Sequence, residues 1–112
     1  MIARDNRFHG HSAVARVRGS SVHSKNLSFR WAKNNRNDYR LAVVVSKKID
    51  NRAVVRNRIR RRVFEEIRKQ GSLNGKSVDL VVYIKTPEVQ AMEVKKLHEE
   101  IAQLTQKILS PR

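Results

Sequence analysis

The side chains of this sequence that could do chemistry fall into three groups: four histidines, scattered acids and one dense run of arginine. His9, His11 and His23 lie in the polar N-terminal quarter, and His98 lies on the polar side of the last predicted helix. Acid–base cleavage of RNA would need a positioned base, an oriented partner and a shielded pocket, and no spacing here supplies them. His9-Gly10-His11 could touch a metal, but two histidines in a polar arm are a weak ligand set. Asp5, Asp38, Asp50 and Asp79 are far apart, while Glu65-Glu66 and Glu99-Glu100 are adjacent pairs that do not share a helix face. There is no Gly-rich phosphate loop, no Ser/His/Asp arrangement and no Cys/His spacing. The sequence predicts no catalytic side chain and no protein-held metal. It describes a binder.

What it would bind is written in residues 53–69. Val55, Ile59, Val63 and Ile67 recur every fourth position, without Gly or Pro, which predicts a helix with one apolar stripe. At about 100° per residue, Asn57, Arg58, Arg61, Arg62, Arg68 and Lys69 fall roughly opposite that stripe. Arg56 and Arg60 fall at its edge, where long stems can lie on apolar surface. A helix made only for solubility would mix signs. Here the first turns lack acid, and cations near a helix N-terminus oppose the macrodipole by about 0.3–1 kcal/mol each. A polyanion offsets that cost, because a guanidinium grips phosphate through a two-pronged fork.

The composition agrees. At 112 residues the chain is read as one domain, 1–112, and its formal net charge of +15 implies a polyanionic partner. No apolar run approaches the ~20 residues of a membrane span, and the opening residues lack a signal-peptide core. With no cysteine there is no disulfide, thiol nucleophile or zinc-thiolate site, which suits a cytoplasmic protein. Nucleic acid is the expected partner, without membrane or small-molecule cofactor.

The elements that must position the arginines follow in order. Residues 1–11 read as a basic, flexible arm, and Ala13–Arg18 as a brief helix ending at Gly19. Leu27, Phe29 and Trp31 alternate with Ser28 and Arg30, a half-buried strand with the first three facing the core. Across a polar loop, Tyr39–Val45 reads as a strand buried on both faces, and the two strands as a hairpin. Asp50 or Asn51 is available to cap the arginine helix, which should stop near Gly71. Val78–Ile84 is another buried strand. Thr86-Pro87-Glu88 reads as a helix start, continued by Val89, Met92, Leu97, Ile101, Leu104 and Ile108. The result is an α+β sandwich with helices on one sheet face. The other face would present Ser28 and Arg30 beside the arginine helix, a groove suited to single-stranded nucleic acid. Phe8, Tyr39 and Tyr83 are the aromatics available for stacking. No short second helix precedes the basic one, so a sheet-and-helix RNA reader fits better than helix-turn-helix.

Val45-Ser46-Lys47-Lys48-Ile49, followed by Ala53-Val54-Val55-Arg56-Asn57-Arg58-Ile59-Arg60-Arg61, resembles the signature of the bacterial ribonuclease P protein subunit family, in which a Ser-(Lys/Arg)-Lys strand end leads into an "RNR" helix. The strand ending at Lys85-Thr86-Pro87 and the closing helix match that family's order. The resemblance implies the order αβββαβα on a small, mostly antiparallel sheet, like the second domain of ribosomal protein S5, with a left-handed crossover. It also implies a protein that binds a catalytic RNA and the 5′ leader of precursor tRNA. Chemistry would then belong to the RNA and its Mg²⁺ ions, in endonucleolytic removal of the leader. By position, Ser46, Lys47, Lys48, Arg52, Arg56, Asn57, Arg58, Arg60 and Arg61 would face RNA, and Ser28 and Arg30 would floor the leader cleft. The chain departs from the family where aromatics usually precede the glycine, having Ser12, Ala13, Ala15, Arg16 and Val17 there, and in Asp50, which replaces a usual Gly. A small ribosomal, rRNA-binding protein is the alternative, and a histidine-dependent ribonuclease is a third reading.

Overall fold

In a computed structural model the described residues are 20–109. The predicted basic arm, the brief helix at 13–18 and the residues Phe8, His9 and His11 lie outside them. The elements are β1 (Ser20–His23), β2 (Leu27–Lys33), β3 (Arg40–Val44), α1 (Ala53–Gln70), β4 (Val78–Ile84), a 3₁₀ turn (Pro87–Gln90) and α2 (Val94–Leu109).

The four strands form one sheet in the order β1-β2-β4-β3. β1 pairs antiparallel with β2, β2 antiparallel with β4, and β3 parallel with β4. The expected hairpin between β2 and β3 does not form, because β4 lies between them. The reason lies in α1, which carries the chain back along the sheet so that β4 enters parallel to β3. The true hairpin is β1–β2, whose first strand, Ser-Ser-Val-His, is too polar to announce itself.

Strand alternation then divides the sheet into two faces. Inward point Leu27 and Phe29 of β2, Leu41 and Val43 of β3, and Leu80, Val82 and Ile84 of β4. Val55, Ile59, Val63 and Ile67 of α1 and Leu97, Ile101, Leu104 and Ile108 of α2 pack on them in one core. Trp31 is half-buried against the same cluster, as its alternation predicts. Tyr39 is buried there too, and burial, helped by the nearby Asp38 charge, raises its phenol above the usual value. It is therefore no stacking platform.

The helix ends differ from expectation in two places. Arg52, not Asp50 or Asn51, occupies the N-cap of α1, and no side chain caps that helix. Its C-terminus is stopped by Gly71 in the left-handed region (φ 66°), with its N–H donating to the Ile67 carbonyl. Thr86-Pro87-Glu88 starts only the 3₁₀ turn, and α2 begins at Val94. Instead of capping, the Thr86 hydroxyl donates to Asn26 Oδ1 (2.5 Å). Buried Asn26 in turn binds both carboxylate oxygens of Glu100 through its own N–H and Nδ2 (2.9 Å each), and Ser24 Oγ donates to the same carboxylate. Burial alone would raise the Glu100 carboxyl, but these hydrogen bonds prevail and lower it. The knot ties the β1–β2 turn to α2.

Candidate nucleic-acid interface

The outward sheet face is a lattice of paired rows set by the registers. One row reads His23, Ser28, Tyr83, Val44; the next Ser21, Arg30, Val81, Ala42; the third Ala32, Asp79, Arg40. Ala42 and Val81 are buried at its centre, with Ala32, Val44 and Tyr83 half-buried around them. Arg30 is exposed, and its guanidinium lies 5.5 Å from the Tyr83 ring centroid, a cation–π contact that holds the charge over an aromatic plate. Ser28 Oγ shares a hydrogen bond with His23 Nδ1 (2.8 Å). At the far end Arg40 forks onto Asp79 (2.8 and 2.6 Å), and Asn34 adds a third donor (2.9 Å). Burial would raise the Asp79 carboxyl, but these partners lower it on balance. Among the described residues the face is thus apolar along its middle and edged by polar groups.

The arginine helix is not beside Ser28 and Arg30, as the sequence suggested. It packs on the inner face, while those two residues project from the outer one on β2, two strands away from β3. What brings the cations round is the edge strand β3. Beyond its end Ser46, Lys47 and Lys48 are exposed in a turn closed by the Ile49 N–H on the Ser46 carbonyl (3.1 Å). Asp50 binds the Arg52 N–H (2.9 Å) and forks onto its guanidinium (3.0 and 2.8 Å), which pulls the carboxyl down to about 2. Arg56 donates to the Asp50 carbonyl (3.1 Å), and Arg60 to Asn57 Oδ1 (2.6 Å). Arg56 and Arg60 are half-buried, as their edge position predicts, and burial followed by the neighbouring Arg56 charge lowers Arg60. Ser46–Arg52, Arg56 and Arg60 therefore gather at one corner.

Arg58 and Arg61 do not join them. Two positions on a helix are about 200° apart, so Arg58 leaves the flank opposite Arg56 and lines, with Arg61, Arg62, Glu65, Glu66 and Lys69, a groove against Val94 and Leu97 of α2. Arg62, read as solvent-facing, donates to the carbonyls of Val89 (2.7 Å), Gln90 (3.0 Å) and Met92, and so ties α1 to the segment leading into α2. No local pattern announces this, since the acceptors are main-chain groups nearly thirty residues on. Buried Glu66 meets His98 Nδ1 at 2.6 Å, which places that histidine in a structural pair.

The acids of the described chain are drawn apart in this way: Asp50 to Arg52, Asp79 to Arg40, Glu66 to His98 and Glu100 to Ser24 and Asn26. No three metal-ligating side chains come together among the described residues. No described helix is long and apolar enough to cross a membrane.

A small α+β domain with cations displayed from both its sheet edge and its long helix defines a class of polyanion-binding modules. The chain's family is more specific: the ribonuclease P family model matches residues 2–109, and the chain belongs to that family, which supplies the protein subunit of an endoribonuclease. Solved structures agree on the fold. The Staphylococcus aureus RNase P protein is 23% identical over 94% of this chain and 95% of its own, with a TM-score of 0.77. A mutant of it described as defective in mRNA degradation activity is 20% identical over 95% and 90%, with a TM-score of 0.79. The Thermotoga maritima RNase P protein is 23% identical over 86% and 90%, with a TM-score of 0.71. No curated protein sequence matches this chain.

Proposed function

We propose that this ribonuclease P subunit binds the catalytic RNA through Ser46, Lys47, Lys48, Arg52, Arg56, Asn57, Arg58, Arg60 and Arg61. On this reading the 5′ leader of precursor tRNA lies across the outward sheet face, over Ser28 and Arg30. The observation that carries it is the division of the sheet among the described residues: both described helices pack on one face, and the other sets Arg30 on Tyr83 beside an apolar strip, a pairing that suits a nucleobase and its phosphate. On the same reading bond cleavage and the Mg²⁺ ions belong to the RNA, with which the dispersal of the described acids among separate partners agrees. The protein supplies positive surface that holds the leader and lowers the metal concentration the RNA needs. This work takes place in the cytoplasm.

The test is cleavage of precursor tRNA by the organism's own ribonuclease P RNA at low Mg²⁺, with and without the protein. Strong stimulation by a protein that cuts nothing alone is expected, with affinity falling steeply as salt rises. Absence of stimulation would return the molecule to a general RNA anchor such as an rRNA-binding protein. Cleavage by the protein alone would move the chemistry to its side chains.

A further inference from the structure

The groove between α1 and α2 has its own charge pattern. Six of its lining residues are ionisable, and three of these are already engaged: Arg62 on the carbonyls of Val89, Gln90 and Met92, Glu66 on His98, and Glu65 on Arg68 (3.0 and 2.8 Å). The two acids that could neutralise the groove are thus directed elsewhere. Arg58, Arg61 and Lys69 are exposed, and no hydrogen bond or ion pair engages their side chains among the described residues. They stand at i, i+3 and i+11, a run of about 16 Å along the helix at 1.5 Å per residue. A row of unpaired cations of that length matches an anion with regularly repeated charge.

We propose that this groove is a second phosphate-binding surface, in which Arg58, Arg61 and Lys69 hold the sugar–phosphate backbone of an RNA segment different from the one at the Arg56–Arg60 corner. The inference rests on the reading that the protein binds ribonuclease P RNA. It goes further by making α1 a wedge between two stretches of backbone. That arrangement accounts for cations on both flanks of one helix, which a single surface would not need. An acidic protein segment is the weaker fit, because a docked helix needs a row of apolar anchors. The exposed large apolar residues in the described chain are only Val54, Val94 and Leu109, and of these Val94 alone lines the groove. Arg62 acts as a positioning residue, fixing the wall of the groove without touching the ligand.

The complex of full-length protein with its ribonuclease P RNA provides the experiment. The triple variant Arg58→Gln/Arg61→Gln/Lys69→Gln is compared with Arg56→Gln/Arg60→Gln by hydroxyl-radical footprinting and by the salt dependence of binding. Each variant should lose protection at its own nucleotides, in two sets that do not overlap. The triple variant's slope of log affinity against log salt should fall in magnitude by about 2 to 3. An unchanged footprint and slope for the triple variant, or loss of the same nucleotides by both, overturns the proposal. The chain has no native cysteine, so Lys69→Cys and Lys48→Cys each give one tether for a radical-generating iron chelate, with every arginine kept. Cleavage of two separate RNA segments supports the wedge even where the triple variant folds poorly, and cleavage of one shared segment refutes it. A native protein that protects no RNA would instead sink the reading beneath it.

Discussion

The two faces of the sheet are made by the same strands, yet they work under opposite rules. Inward residues are large, apolar and sealed by two helices; outward residues form a narrow apolar strip bounded by Arg30, Ser28, His23, Arg40 and Asp79. The inner face determines whether the chain folds, and on the proposed function the outer face determines what the folded chain can hold. Substitutions on the two should therefore separate stability from binding.

The comparison is sharpened most by Ile59→Ala. This fully buried side chain joins α1 to the inner face, and its truncation should cost about 2–5 kcal/mol in urea unfolding, with RNA affinity of the remaining folded fraction unchanged. Arg62→Met should come next, at about 1–3 kcal/mol, since the carbonyls of Val89, Gln90 and Met92 lose their donor. Faster amide exchange in residues 87–97 would locate the damage. Asp79→Asn, on the outer face, should cost about 1 kcal/mol at neutral pH, because its partner Arg40 is partly exposed and solvent screens the pair. Its sign can be checked by titration. The carboxyl is lowered in the folded state, so its contribution is complete above the unfolded value and is lost as pH falls through the folded one. Native and variant proteins should thus converge in stability only in acid. Smallest in stability is Arg30→Ala, within about 0.5 kcal/mol, although leader affinity should drop. A large loss of stability there would break the distinction between the faces.

Periodicity made some of this legible in advance and left other parts hidden. The fourfold recurrence of Val55, Ile59, Val63 and Ile67 specified the buried stripe of α1, and the alternation around Phe29 assigned Leu27 inward and Arg30 outward. Both patterns are local. Which strand lies next to which is not, so a turn-rich loop suggests a β2–β3 hairpin where β4 belongs between the two. Asp50 looks like a cap because caps are recognised by residue type, but Arg52, two residues on, offers a charged fork that outcompetes a main-chain N–H of the first turn. Arg62 and the Asn26–Glu100 knot depend on groups far along the chain, so no window of sequence contains both halves. The RNR signature was readable as residues, but its division between two flanks needed the helix in place beside α2.

The strand order also sets a timetable. β4 occupies the middle of the sheet, yet it is the last of the four strands to be synthesised. Until residue 84 has left the ribosome, β2 lacks one neighbour and β3 lacks its only one, and α1 has no joined sheet to pack upon. Translation at about 5–20 residues per second leaves that gap open for several seconds after β3 emerges. During it, the nascent chain displays the two strand edges that β4 will cover and a helix crowded with arginine. A pause before Val78 would prolong the state in which this protein can join the wrong strand, or meet RNA before it has a face to offer it.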